Sequence, residues 1–209
     1  MTFEVMITRP EGSRHLANRI LLPMFGEHNV LNALAAIAIA TELEIDEKII
    51  LKTLAGFEGV KRRFTKIGQT GGVTIIDDYG HHPSEVELTL NALRVAYDPQ
   101  RIICVFQPHQ HSRTRFLLEQ FATSFEGADL VIVPEIYFVR DSEAERQRVS
   151  AGDLVERLRS RGTRALHVHP FEAIVEQLEV LCRDGDLVVS MGAGPVWEIS
   201  HAFLEAGSD

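Results

Sequence analysis

Several residue types and patterns are scarce or missing here, and each narrows what the chain can be. Only two cysteines occur among 209 residues, Cys104 and Cys182. Without redox or metal-ligand spacing they build neither a disulfide framework nor a cysteine zinc site, so reduced thiols in a reducing compartment are expected. The longest apolar run, Ala33 to Ala40, is far short of the roughly 20 residues that span a bilayer. The opening Met-Thr-Phe-Glu has no basic, apolar leader pattern, and the expected location is the cytoplasm, away from membranes. Positive charge is in deficit, with 21 Lys and Arg against 30 Asp and Glu and a formal net charge of -9, which argues against a general nucleic-acid binder. A Gly-x-x-x-x-Gly-Lys-Ser/Thr loop is also absent, so these residues cannot hold the phosphates of ATP in the P-loop manner.

What is present is 45% hydrophobic content, enough for a sizeable core. The most informative stretch is Ile75-Ile-Asp77-Asp78-Tyr79-Gly80-His81-His82-Pro83-Ser84-Glu85. Val73 to Ile76 is a β-branched run of the kind that forms a buried strand. Pro83-Ser84-Glu85 opens a helical pattern carried by Val86, Leu90 and Leu93. The polar residues between them therefore lie at the carboxyl end of a strand, the edge where open α/β sheets bind ligands. Singly they are ordinary turn residues. Together, two carboxylates, a phenol and two imidazoles can hold a cation, orient a ribose or guide an amine.

Before residue 60 the pattern predicts a hairpin, Phe3 to Ile7 and His15 to Leu22 around the turn Arg9-Pro-Glu-Gly-Ser. A helix follows over Val30 to Leu43, apolar on most faces, then another over Asp46 to Leu54 with Asp46 as its cap. Asn29 serves either as the cap of the first helix or, with Asn32 one turn on, as a carboxamide edge for a flat heterocycle. Gly56 and Gly59 mark a hinge, giving domains at 1–59 and 60–209.

Beyond that boundary strands are expected at 64–69, 73–78, 101–107, 129–134, 164–168 and 186–191. Helices are expected at 84–97, 114–126, 150–161, 171–182 and 195–205. Such alternation predicts an α/β fold, a Rossmann-like, mostly parallel sheet with helices on both faces. Five polar or glycine-rich loops then share one edge: Asp77 to His82, Gln107 to Arg113, Glu135 to Asp141, His167 to Pro170, and Gly192-Ala-Gly194-Pro195.

Gln107-Pro-His109-Gln-His111-Ser-Arg113-Thr-Arg115 puts guanidinium groups where a carboxylate or phosphate would be forked. Lys61-Arg62-Arg63 with Lys66 is a basic spot of phosphate size, and Gly192-Ala-Gly194 is a weak anion-loop signal. His81, His82, His109 and His111 with Asp77 and Asp78 are also candidates for a divalent metal site of a hydrolase, although no helical His spacing supports one.

At four stretches the chain resembles the Mur ligases: Gly26-Glu-His28-Asn29-Val-Leu-Asn32-Ala-Leu-Ala-Ala, Gly59-Val-Lys-Arg62-Arg63-Phe64, Asp77 to Glu85, and Phe106-Gln107-Pro108-His109 through Ser112-Arg113-Thr114. The His-His-Pro form followed by Gln-Pro-His and Ser-Arg-Thr is similar to the alanine-adding member. The resemblance implies the tail of a central ATPase domain, its hairpin and helices, followed by a whole amino-acid-binding domain. It further implies an ATP- and Mg-dependent ligase of peptidoglycan synthesis, in which ATP phosphorylates the carboxylate of UDP-N-acetylmuramate and the amine of L-alanine attacks the acyl phosphate. On that resemblance Asn29 and Asn32 contact adenine, Arg63 the nucleotide phosphates, and Asp78 with Tyr79 the ribose side. His81 and Arg113 position alanine as the catalytic pair, with His82 and His109 beside them on the substrate; no protein-built metal site is assigned. Gln110 departs from the family's second arginine. Without the P-loop and the UDP-sugar part the chain is expected to be inactive alone, needing a separate N-terminal half. The alternative is a non-catalytic nucleotide- and amino-acid-binding or assembly module.

Overall fold

A computed structural model describes residues 1–24, 26–57 and 59–207, which form two compact units, Met1–Val60 and Lys61–Asp209. In the first unit β1 (Thr2–Arg9) and β2 (Gly12–Leu21) form an antiparallel hairpin. Helices α1 (Glu27–Glu42) and α2 (Glu47–Ala55) complete a small core of Val5, Leu16, Ile20, Ile37 and Ile50. Asp46 caps α2 by accepting from the Lys48 amide. The expected cap at Asn29 is corrected: α1 begins one turn earlier, after Gly26 at φ 93°, which places Asn29 inside the first turn. The apolar residues of α1 divide between a buried face and an open one. Ala33 and Ile37, one turn apart, are buried, while Leu31, Ile39 and Leu43 are 60%, 63% and 68% exposed.

The second unit holds a six-stranded sheet in the order β3 (Thr65–Thr70), β4 (Val73–Asp78), β8 (Asp186–Met191), β5 (Arg101–Phe106), β6 (Leu130–Val133), β7 (Ala165–His167). From β4 to β7 all neighbours are parallel; β3 is antiparallel at the edge. The β3–β4 link is Gly71-Gly72, both with positive φ, as a two-residue hairpin turn demands. The helices are α3 (Pro83–Tyr97), α4 (His111–Phe116), α5 (Leu118–Thr123), α6 (Glu143–Arg146), α7 (Ala151–Ser160), α8 (Phe171–Leu181) and α9 (Trp197–Ala206).

Two apolar clusters, one on each face, give the strands their continuous Val/Ile character. Leu90, Leu93, Phe121, Leu154 and Leu158 cover Cys104, Phe106, Val131 and Val133. Ile174, Leu178, Ile199 and Phe203 cover Ile75, Ile103, Val105, Ile132 and Val188. One expected helix, 114–126, is instead the pair α4 and α5, because Leu117 (φ -104°, ψ 10°) leaves helical geometry between them. Among the described residues no helix is long and apolar enough to cross a membrane.

Candidate functional site

The carboxyl ends of β4, β8, β5 and β6 form a polar edge whose floor is built by β8. Gly192 and Gly194 follow that strand and admit close neighbours: a Cβ on Gly192 would lie 2.8 Å from the Gln107 carbonyl oxygen, and one on Gly194 would lie 2.5 Å from Gln107 Oε1 and 3.1 Å from the Tyr137 ring. The loop after β8 thereby meets those after β5 and β6. Rings from the loops after β4, β5 and β6 form a row, with Tyr79 to His81 at 5.4 Å, His81 to His109 at 6.1 Å and His109 to Tyr137 at 5.5 Å between centroids.

The two aspartates are structural first. Asp77 Oδ2 accepts from Arg62 Nε at 3.1 Å and its Oδ1 from Ser190 Oγ at 3.0 Å. Arg62 Nη2 also donates to the carbonyls of Gly192 (2.9 Å) and Gly194 (3.1 Å). The glycine loop therefore turns carbonyls toward a cation, which removes the anion-cradle expectation for Gly192-Ala-Gly194. Asp78 accepts from the Phe64 amide (2.8 Å) and the Gly80 amide (2.7 Å). Burial pushes its carboxyl pKa up, against the pull of those amides and of Arg63. Above it Tyr79 is partly exposed.

His81 Nδ1 lies 3.0 Å from the Tyr79 carbonyl oxygen, an acceptor only, so Nδ1 carries a proton, and in the neutral ring Nε2 is the acceptor. His82 caps α3: its Nδ1 faces the Ser84 hydroxyl at 2.7 Å, and Glu85 closes a capping box. Burial alone would raise the Glu85 pKa, but the His81 amide, the His81 ring and the His82 amide bring it below the ordinary value.

Arg113 and Arg115, two residues apart, have different fates. Arg115 is forked onto Glu145 at 2.9 and 3.2 Å. Arg113 Nη1 is buried with no hydrogen-bond partner, and so are His109 Nδ1 and Gln107 Oε1. Buried donors and acceptors left open in this way are expensive unless a ligand completes them. Burial, then the charge of Arg113, lowers the His109 pKa. Gln110 takes φ 68° and gives its amide to the Val139 carbonyl at 3.3 Å. Arg63 is exposed and makes no ion pair among the described residues. Asn29 is buried and Asn32 exposed on α1 in the first unit.

The four histidines and two aspartates of the rival metal reading do not converge. Asp77 and Asp78 are occupied as above and His82 is a helix cap. Among the described residues the group whose ligand atoms do gather is Glu135, His167 and His169, which sequence reasoning placed on the edge without joining. The overlooked signal is a His-x-His at the end of β7. Also missed was the Arg62–Asp77 pair, which separates two adjacent arginines into a half-buried, paired one and an exposed one.

The profile described as Mur ligase, glutamate ligase domain matches residues 62–194. A UDP-N-acetylmuramate--L-alanine ligase of Salinibacter ruber is 44% identical over 181 residues, 86% of this chain and 38% of that protein. One of the same name from Gluconacetobacter diazotrophicus is 45% identical over 203 residues, 96% of this chain and 42% of that protein. Among solved structures, the UDP-N-acetylmuramate-alanine ligase of Thermotoga maritima superposes with a TM-score of 0.70 at 29% identity, covering 91% of this chain and 40% of that one. The chain thus spans about 40% of the length of the curated relatives it matches. With the profile running from the arginine that braces β4 to the glycine loop after β8, this chain belongs to the Mur ligase family.

Proposed function

We propose that this chain is the C-terminal part of an ATP-dependent ligase that joins L-alanine to UDP-N-acetylmuramate in peptidoglycan synthesis. Residues 1–59 are the tail of its central ATP-binding domain and residues 60–209 its amino-acid-binding domain. The observation that carries the reading is Arg113, whose buried Nη1 lacks an acceptor in a row of rings at the sheet edge. An amino-acid carboxylate supplies that acceptor. The choice of alanine rests on the names of the relatives at 44–45% identity.

With its carboxylate on Arg113, alanine presents its ammonium group toward His81, whose Nε2 accepts a proton and frees the amine to attack an acyl phosphate. His109 lies between the two as a neutral ring, and His82 acts on the substrate side through the start of α3. Arg63 meets the nucleotide phosphates, being exposed and without an ion pair among the described residues, where Arg62 is committed to Asp77. Tyr79, with Asp78 fixed beneath it, faces the ribose, and Asn29 with Asn32 reads adenine.

Magnesium fits these residues poorly. It asks for near-octahedral oxygen ligands, and the carboxylates of Asp77, Asp78 and Glu85 are already taken by Arg62, Ser190 and backbone amides. No step is therefore routed through a metal held here.

The test is alanine-dependent phosphate release from ATP with magnesium and UDP-N-acetylmuramate, measured on this chain alone and after addition of a separately made N-terminal half. Activity in the mixture alone, lost in Arg113→Ala at alanine concentrations that suffice for the parent, is the expected result. Activity of the chain alone would overturn the reading, and silence in both with a folded partner half would favour a non-catalytic binding module.

A further inference from the structure

We propose that Glu135, His167 and His169 form a binding site for a divalent ion of the zinc class beyond the ends of β6 and β7. The three come together because β6 and β7 are parallel and in register, Val133 opposite His167. Two residues on along each extended run stand Glu135 and His169, and a step of two returns a side chain to the same face. A His-x-His on one chain and a Glu on its neighbour therefore converge by register alone.

The spacing suits an ion. Donors about 2.1 Å from a tetrahedral centre stand roughly 3.4 Å from one another. His167 Nε2 is 3.1 Å and His169 Nε2 3.7 Å from the same Glu135 Oε1, and the ligand atoms of all three lie within 4.8 Å of one another. The imidazole centroids are 5.2 Å apart. Two imidazoles and one carboxylate favour Zn²⁺, Co²⁺ or Ni²⁺ over Mg²⁺ or Ca²⁺. Three protein donors, all partly open to solvent, leave a further position for water or an anion. The backbone carbonyl of Glu135 also accepts from Gln107 Nε2 at 3.2 Å. An ion on Glu135 therefore fastens the segment leading to Tyr137 onto the end of β7.

Equilibrium dialysis of the untagged chain against zinc chloride, followed by visible absorption after loading with Co²⁺, tests this directly. One tightly held ion per chain is expected, with a cobalt spectrum of mixed nitrogen and oxygen donors. His167→Gln, His169→Gln and Glu135→Gln should each lose the ion while keeping the circular dichroism of the parent, and His201→Gln, an exposed histidine elsewhere, should retain it. The proposal is overturned by the absence of saturable uptake, by uptake that survives the His167→Gln/His169→Gln double change, or by uptake lost in His81→Gln instead.

Discussion

The Arg62 guanidinium and the Asp77 carboxylate meet at 3.1 Å across fifteen residues of chain, and the aspartate is almost wholly buried, with 4% of its side chain exposed. The same guanidinium reaches the carbonyls of Gly192 and Gly194, so one side chain ties the approach to β3, the end of β4 and the loop after β8. Removing it leaves a buried carboxylate without its counter-charge, at a cost of about 3 kcal/mol. Arg62→Ala should lower the unfolding free energy of the second unit by that amount in a denaturant titration, read from the single tryptophan, Trp197, whereas Arg63→Ala should leave it unchanged.

Arg113→Ala should behave in the opposite way. Its Nη1 has no protein partner to lose, so the unfolding free energy stays within about 0.5 kcal/mol of the parent. In the reassembled ligase a charge-assisted pair worth about 2.7 kcal/mol disappears, raising the alanine KM roughly 100-fold. A normal alanine KM in this variant would remove Arg113 from the carboxylate site.

Gly194→Ala places a Cβ 2.5 Å from Gln107 Oε1 and 3.1 Å from the Tyr137 ring. Crowding of that kind costs about 1–3 kcal/mol. Calorimetry should find a lowered Tm, and pairing the change with Gln107→Ala should recover part of the loss.

His109 supplies a pH dependence. Burial and the neighbouring Arg113 charge hold its pKa below the ordinary 6.5, so the unfolded chain binds a proton more readily than the folded one. The resulting stability is full above that value and falls away as pH drops below it. Urea titrations at pH 7.5 and 5.5 should lose part of their difference in His109→Gln; an unchanged difference would exclude His109 as its source.

Both thiols should be inert in the native chain. Burial raises the Cys104 pKa far above the usual range and pushes that of Cys182 up to about 12, and the thiolate is the reactive form. Iodoacetamide at pH 8 should label neither until denaturant is added, as mass spectrometry would report.

The strand and helix alternation after residue 60 was legible because buried parallel strands write themselves as Val/Ile runs, and the loops at their ends announced the polar edge. Arg113 stood out by residue type, yet only the Glu145 fork on Arg115 distinguishes the open guanidinium from the closed one. Asn29 misled because it is a good helix cap by composition, while Gly26, free to take positive φ, starts α1 a turn earlier. His82 is a similar case, an imidazole doing what serine or aspartate usually does. The convergence of Glu135 with His167 and His169 depends on strand register, a property that a linear reading does not contain.

The strand that lies between β4 and β5 is the last to be made. Until Asp186 to Met191 leaves the ribosome, Ile75 and Ile103 have no neighbour to separate and join them, and the nascent domain consists of two sheet fragments with unpaired inner edges. Completion of this unit therefore waits for its last strand in sequence. A chain interrupted before Asp186 would carry open β4 and β5 edges that invite pairing with other chains.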